Sequence, residues 1–240
     1  MVKIERYNKD LNYSYSLGAF PTYELVCRHP EQVECLLLST KLNVTKEVQD
    51  LLDLCKKHNI PVEYNDKAIS KISDKENCFV AGVFNKYKST FKDNKQIVLV
   101  NPSNSGNLGT IMRTMLGFGI KDLAIVKPCV DYFDPKTVRA SMGAVFGLNI
   151  VEFNSVEEYL KSNTYKKFFF MLNGKTKLGQ FKVPTENYAL VFGNEARGLP
   201  NELLDVDVSV VIEHSKEIDS LNLPISVGMA IYEFRGRNGN

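Results

Sequence analysis

The sequence predicts an α/β fold with a parallel sheet in its C-terminal part, and three observations carry that expectation. From Gln96 onward, short continuous apolar runs alternate with segments of helical periodicity. The runs lack polar alternation, as parallel strands covered on both faces should. Three junctions between strand and helix are rich in Gly, Asn and Pro. In an α/β sheet such junctions gather at the carboxyl ends of the strands, where ligands bind.

In order, residues 34–85 read as a small α/β unit. Glu34–Ser39 is a buried strand, Thr45 an N-cap for a helix over Lys46–His58, and Val48, Leu51, Leu52, Leu54 and Cys55 its apolar stripe. Pro61–Tyr64 and Phe79–Phe84 are further strands. The lysine-rich stretch that follows is the expected linker, dividing the chain into a small N-terminal α/β domain (residues 1–90) and a larger one (91–240). In the larger part the expected strands are Ile97–Val100, Asp122–Val126, Lys167–Leu172, Tyr188–Phe192 and Val208–Ile212. Helical patterns run over 108–117, 135–146, 156–161 and 224–235.

Composition narrows the function classes. A chain of 240 residues, 44% hydrophobic and 24% charged, has the make-up of an ordinary globular protein. No apolar run approaches the ~20 residues of a membrane span, and the N-terminal Met1–Arg6 has no apolar core of a secretory signal. Five scattered cysteines without a Cys-x-x-Cys pair imply thiols in a reducing cytoplasm. Cys55 with His58, and Cys27 with His29, are not completed to four ligands, so no metal is expected. A net charge of +2 and a pI of about 8.1 do not by themselves indicate nucleic-acid binding. Locally, Lys86, Lys88, Lys92 and Lys95 interleave with Phe84, Tyr87 and Phe91. That pattern suits RNA backbone and base stacking, or a linker whose rings pack on a domain edge.

Familiar ligand motifs are missing. Asn173–Thr176 ends like a P-loop, but no Gly stands five residues before Gly174, so it reads as a turn. No strand opens into G-x-G-x-x-G, which disfavours a dinucleotide site. G-x-S-x-G is absent, and His29, His58 and His214 lie in no nucleophile elbow. His214, just past a strand and near the third junction, reads as an exposed loop residue, with a role as acid or base the alternative.

What remains are the three junctions: Asn101–Arg113 (NPSNSGNLGTIMR), Val191–Pro200 (VFGNEARGLP) and Asp219–Ser226 (DSLNLPIS). Together, in this order, they resemble the motifs of the SpoU (TrmH) branch of the SPOUT RNA methyltransferases, over roughly residues 96–236. Arg139–Ala144 matches a further stretch of that family. One departure is Ile212-Glu-His214, where many members carry Ile-Pro-Met. The resemblance implies a deep trefoil knot in the sheet, S-adenosylmethionine as methyl donor, a homodimer, and transfer to a ribose 2′-hydroxyl of RNA. It also implies a substrate-binding role for the N-terminal domain. Ribosomal RNA is the favoured substrate. Transfer RNA, or a non-catalytic RNA-binding or ribosome-assembly role on the same scaffold, is the alternative.

By the same resemblance, Phe192, Gly193, Asn194, Gly198, Leu199, Ile212, Ser220 and Leu221 hold the donor, through close backbone approach at the glycines and apolar walls for the adenine. Arg113 stands closest to the chemistry. The resemblance implies a role as proton acceptor, which sits awkwardly with a guanidinium's firm hold on its proton; anchoring phosphate and stabilising the developing alkoxide is the other expected role. Asn107 would orient Arg113 or the donor, Glu195 would brace the loops, and Ser220 and Asn222 would fix the third loop and the ribose. Lys86, Lys88, Lys92 and Arg139 are the expected RNA contacts. The stripe Val227, Ala230, Ile231 and Phe234 on the last helix serves either the core or the dimer interface.

Overall fold

The computed structural model describes residues 4–75, 77–92, 95–185 and 187–236. Met1–Lys3 of the N-terminal stretch, and Asp93 and Asn94 of the lysine-rich stretch, lie outside the described residues. The chain opens with β1 (Tyr13–Leu17), α1 (Ala19–Arg28), β2 (Val33–Leu38), α2 (Lys46–Lys57), β3 (Val62–Tyr64), α3 (Asp66–Ile72) and β4 (Val80–Asn85). Then come β5 (Lys95–Val100), α4 (Ser105–Gly117), β6 (Asp122–Val126), α5 (Pro135–Ala140), β7 (Asn149–Phe153), α6 (Val156–Ser162) and β8 (Lys166–Phe170). β9 (Thr176–Lys177), β10 (Tyr188–Phe192), β11 (Val208–Val211) and α7 (Leu223–Gly236) complete it.

Contacts divide the chain into two compact units: Met1–Tyr87 with Asp131–Gly147, and Lys88–Val130 with Leu148–Asn240. A single cut at residue 90 therefore does not separate them. The reason is aromatic packing: Phe84 of β4, fully buried, sits edge-on to Phe133 (5.5 Å) and Phe146 (5.2 Å). The expected helix over 135–146 also stops early. Met142 (φ 52°) and Gly143 (φ 78°) turn the chain after α5 into a 3-10 turn at Ala144–Gly147.

In the first unit the sheet order is β1-β4-β2-β3, with β4 antiparallel to β1 and β2, and β2 parallel to β3. β1 and α1 had no counterpart in the sequence reading. Tyr-Ser-Tyr-Ser looks half-polar, yet all five residues of β1 are buried. Ser14 Oγ donates to the Phe133 carbonyl, and Ser16 Oγ lies 2.9 Å from Thr22 Oγ1, so the hydroxyls are satisfied inside. α2 starts after Thr45 as expected and buries Val48, Leu51 and Cys55, although the Thr45 side chain makes no capping bond.

In the second unit a seven-stranded sheet runs β7-β6-β5-β10-β8-β11-β9, every pairing parallel. β10 lies between β5 and β8, pairing Val191 with Val98 on one side and Phe169 on the other. These residues are buried, as the unbroken apolar runs required. α4 begins earlier than its apolar pattern, because the Asn104 side chain accepts from the Asn107 N–H (3.0 Å) and caps it. α7 packs against α4. Val227, Ala230, Ile231 and Phe234 are all fully buried, so that stripe belongs to the core. A Cβ at Gly228 would meet Thr114 Cγ2 at an ordinary 3.9 Å, so packing within the chain does not require this glycine.

Candidate functional site

β5, β10 and β11 end at the same edge of the sheet; the first two motif segments leave it at the ends of β5 and β10, and the third, beginning at Asp219, follows the loop after β11. Gly193 opens the loop after β10. The isolated bridge between Asn194 and Gly198, closed by the Gly198 N–H on the Asn194 carbonyl (2.9 Å), folds that loop back on itself. A Cβ at Gly193 would collide with the backbone of Gly198 and Leu199, and Gly198 itself has φ +67°. Both positions therefore call for glycine.

The fold-back leaves a cavity of about 370 Å³, within the usual range for small-molecule sites. Phe192, Leu199, Ile212 and Leu221 give it apolar walls, and Asn194, Glu195, His214 and Ser220 polar ones. Phe170 and Phe192 stack at its floor, ring centroids 4.4 Å apart. Every residue expected to hold the donor lines this cavity.

One carboxylate ties the first motif to the second. Glu195 Oε2 accepts from the Ser103 hydroxyl (2.8 Å) and N–H (3.2 Å), and Oε1 from Asn107 Nδ2 (3.3 Å). Asn194 Nδ2 donates to the Asn101 carbonyl (2.7 Å) and more weakly to Glu195 Oε2 (3.4 Å), while its Oδ1 accepts from the Ala196 and Arg197 N–H groups. Burial alone would raise the Glu195 carboxyl. Hydrogen bonds from its own N–H, Ser103 and Asn107 outweigh burial and hold it below the ordinary carboxylate value.

The remaining expected site residues are placed differently. Asn107 bonds Glu195 and does not orient Arg113: six residues of helix, about 600° of rotation, put the two on different faces of α4. Arg113 is exposed and makes no hydrogen bond or ion pair among the described residues. Asn222 lies outside the cavity, and its carbonyl accepts from the Ile225 and Ser226 N–H groups to start α7. His214 is a correction. It is half-buried against the cavity, with Nδ1 2.9 Å from the Ile212 carbonyl, because β11 delivers the chain there.

In the lysine-rich stretch the rings pack on the protein, as the second of the two readings expected. Phe84 is core, Tyr87 packs on His29 (4.4 Å) and Phe133 (5.0 Å), and Phe91 on Phe153, so these rings are taken. Lys86 Nζ pairs with Asp131 (3.0 Å) over the Tyr7 ring, whose hydroxyl also bonds Asp131. Lys88 and Lys92 are exposed, and Arg139 is half-buried on α5 of the first unit. None of the four lines the cavity. Among the described residues no cluster of His, Cys, Asp or Glu is placed to hold a metal ion, and no helix is long and apolar enough to cross a membrane.

Comparison with known proteins places this geometry. A 23S rRNA (adenosine(1067)-2′-O)-methyltransferase of Streptomyces azureus is 30% identical over 204 residues, 79% of this chain and 75% of that one. A putative tRNA (cytidine(34)-2′-O)-methyltransferase of Listeria innocua is 30% identical over 57% of this chain and 84% of that one. Two further curated relatives are matched over 52% and 58% of their own length, so the chain spans little more than half of them. The crystal structure of an AdoMet-bound rRNA methyltransferase from Sinorhizobium meliloti superposes with a TM-score of 0.78 at 26% identity, over 94% of this chain and 87% of that one. The model of the SpoU rRNA Methylase family matches residues 94–232, a span holding all three motif segments and the whole cavity, and the chain belongs to that family.

Proposed function

We propose that this protein methylates a ribose 2′-hydroxyl of RNA with S-adenosylmethionine as donor. The observation that carries the reading is the Glu195 network, which locks the first and second motif loops at the rim of a cavity that the third closes. The cavity fits the donor: aromatic and aliphatic walls suit an adenine, and the polar rim of Asn194 and Ser220 suits a ribose or amino-acid tail. When bound, S-adenosylmethionine supplies an electrophilic methyl group, so neither a metal nor a protein nucleophile is needed.

The chain's own residues then position and stabilise. With the donor held by the residues lining the cavity, the 2′-oxygen would exchange its proton, released to solvent water, for the methyl group. The loops hold the donor in line with the acceptor, and Phe170 and Phe192 exclude water from the floor. Arg113, exposed and without a hydrogen-bond or ion-pair partner among the described residues, meets RNA phosphate and the developing alkoxide. Lys88 and Lys92 extend the basic surface.

Five finer features belong to the same reading. A trefoil knot is supported by strand order: β10 inserts between β5 and β8, the segment after β11 returns to the cavity wall, and α7 packs on α4. A homodimer is supported by exposed Ile225, Met229 and Tyr232, which form a second apolar stripe on α7 at helical spacing. Selection of the RNA by the first unit is supported by its lack of any of the three motif segments, and ribosomal RNA by the relative that matches 79% of the chain. Five cysteines in no disulfide support a cytoplasmic location. Calorimetry with S-adenosylmethionine and a chelator tests the donor; absence of heat with both the donor and its demethylated product overturns the reading. Sequencing-based mapping of methylated nucleotides with and without the gene decides between ribosomal and transfer RNA.

A further inference from the structure

The Asn194–Leu199 loop has a second side. There a larger cleft, about 950 Å³, is lined by Asn101, Pro102, Ser103, Pro128, Cys129 and Val130 from the edges of β5 and β6, and by Pro200. It shares Asn194, Ala196, Arg197, Gly198 and Leu199 with the first cavity. Among the described residues, Arg197 is the one lysine or arginine lining either space. It is exposed, and its side chain has no hydrogen-bond or ion-pair partner among the described residues, while its backbone is pinned by Asn194 Oδ1 (3.2 Å). An anchored backbone under an unpaired guanidinium presents five donors at low cost in order.

Methyl transfer requires the acceptor within near-attack distance of the donor, so the acceptor has to occupy space that borders the donor cavity. This cleft borders it through a five-residue wall. Its rigid proline faces and Val130 suit a flat apolar ring; the Ser103 hydroxyl already donates to Glu195 and Asn101 Nδ2 to the Val126 and Pro128 carbonyls, so their side-chain oxygens are offered to a ring substituent as acceptors. The unpaired cation at its mouth suits a phosphate.

We propose that this cleft receives the acceptor nucleotide, with Arg197 as the positioning residue that binds its phosphate. The inference rests on the RNA-methylation reading. The test measures binding of 12-nucleotide homopolymer RNAs by fluorescence anisotropy across a salt series, beside calorimetry with S-adenosylmethionine. Arg197→Gln should weaken RNA binding about tenfold and lower the log–log salt slope by about one, with donor affinity within twofold. Arg197→Lys should restore the slope. Val130→Trp, which fills the cleft, should weaken RNA binding without changing the slope or donor affinity.

Unchanged RNA affinity and slope in Arg197→Gln overturns the proposal. So does an equal loss of donor affinity, which would assign Arg197 to the donor carboxylate, and so does full RNA binding by Val130→Trp. Wild-type protein that binds the donor and no RNA would instead overturn the parent reading.

Discussion

Glu195→Gln isolates the network on which the site depends. The carboxylate accepts three bonds of 2.8–3.3 Å from Ser103 and Asn107, and a long one from Asn194. A glutamine can keep its oxygen toward Ser103, where three donors converge, but its NH2 then faces the NH2 of Asn107. Turning charge-assisted bonds into neutral ones loses about 1 kcal/mol each, and the Asn107 contact is lost outright. Because Glu195 is only half-buried, water replaces part of this, leaving a net cost of about 1.5 kcal/mol. If loop order is needed for binding, donor affinity should fall about tenfold.

The pH dependence follows from the direction of the Glu195 shift. Its carboxyl is held below the ordinary value, so the network's stabilisation is fully present above the ordinary carboxylate range and is lost as pH falls through the lower native value. Wild-type donor affinity should therefore decline on the acid side, and Glu195→Gln should lack that limb. Calorimetric titration from pH 7 downward, with circular dichroism to confirm folding, reads both effects. Wild-type affinity in Glu195→Gln together with an unchanged acid limb would refute the argument.

Arg113→Ala should reduce methyl transfer by about 10²-fold or more, comparable to removing an oxyanion donor, with donor affinity unchanged; near-normal turnover at saturating substrates would remove Arg113 from the mechanism. Gly193→Ala forces the Gly198–Leu199 backbone aside, and a displacement near 1 Å should lower methyl transfer about 10²-fold in single-turnover assays. Phe84→Ala should destabilise the first unit by about 3–5 kcal/mol in urea melts. Tyr232→Arg on α7 should convert a dimer to monomer by light scattering.

The parallel strands were legible because burial on both faces leaves an unbroken apolar run, and the gathering of the motif loops around one cavity because three loops with restrictive Gly and Asn positions occur together. β7 and β9 were less so. Asn149–Phe153 carries Glu152 at a sheet edge, and β9 has only two residues. β1 was hidden by buried serines whose partners are remote in sequence. The place of 131–147 depended on Phe133 and Phe146 meeting Phe84, a contact no local pattern encodes. Lys86 read as free because Asp131 lies 45 residues away. Arg197 gave no signal of its own, since only the folded loop shows that it lines two spaces.

The most direct test of the central claim is the chemical identity of the product. RNA from cells lacking the gene, incubated with the protein and methyl-labelled S-adenosylmethionine, is digested to nucleosides and resolved by mass. The account expects the label on a 2′-O-methylnucleoside, with the adjoining phosphodiester resistant to alkali. Label on a base nitrogen or carbon, or no transfer by a protein that binds both donor and RNA, would contradict it.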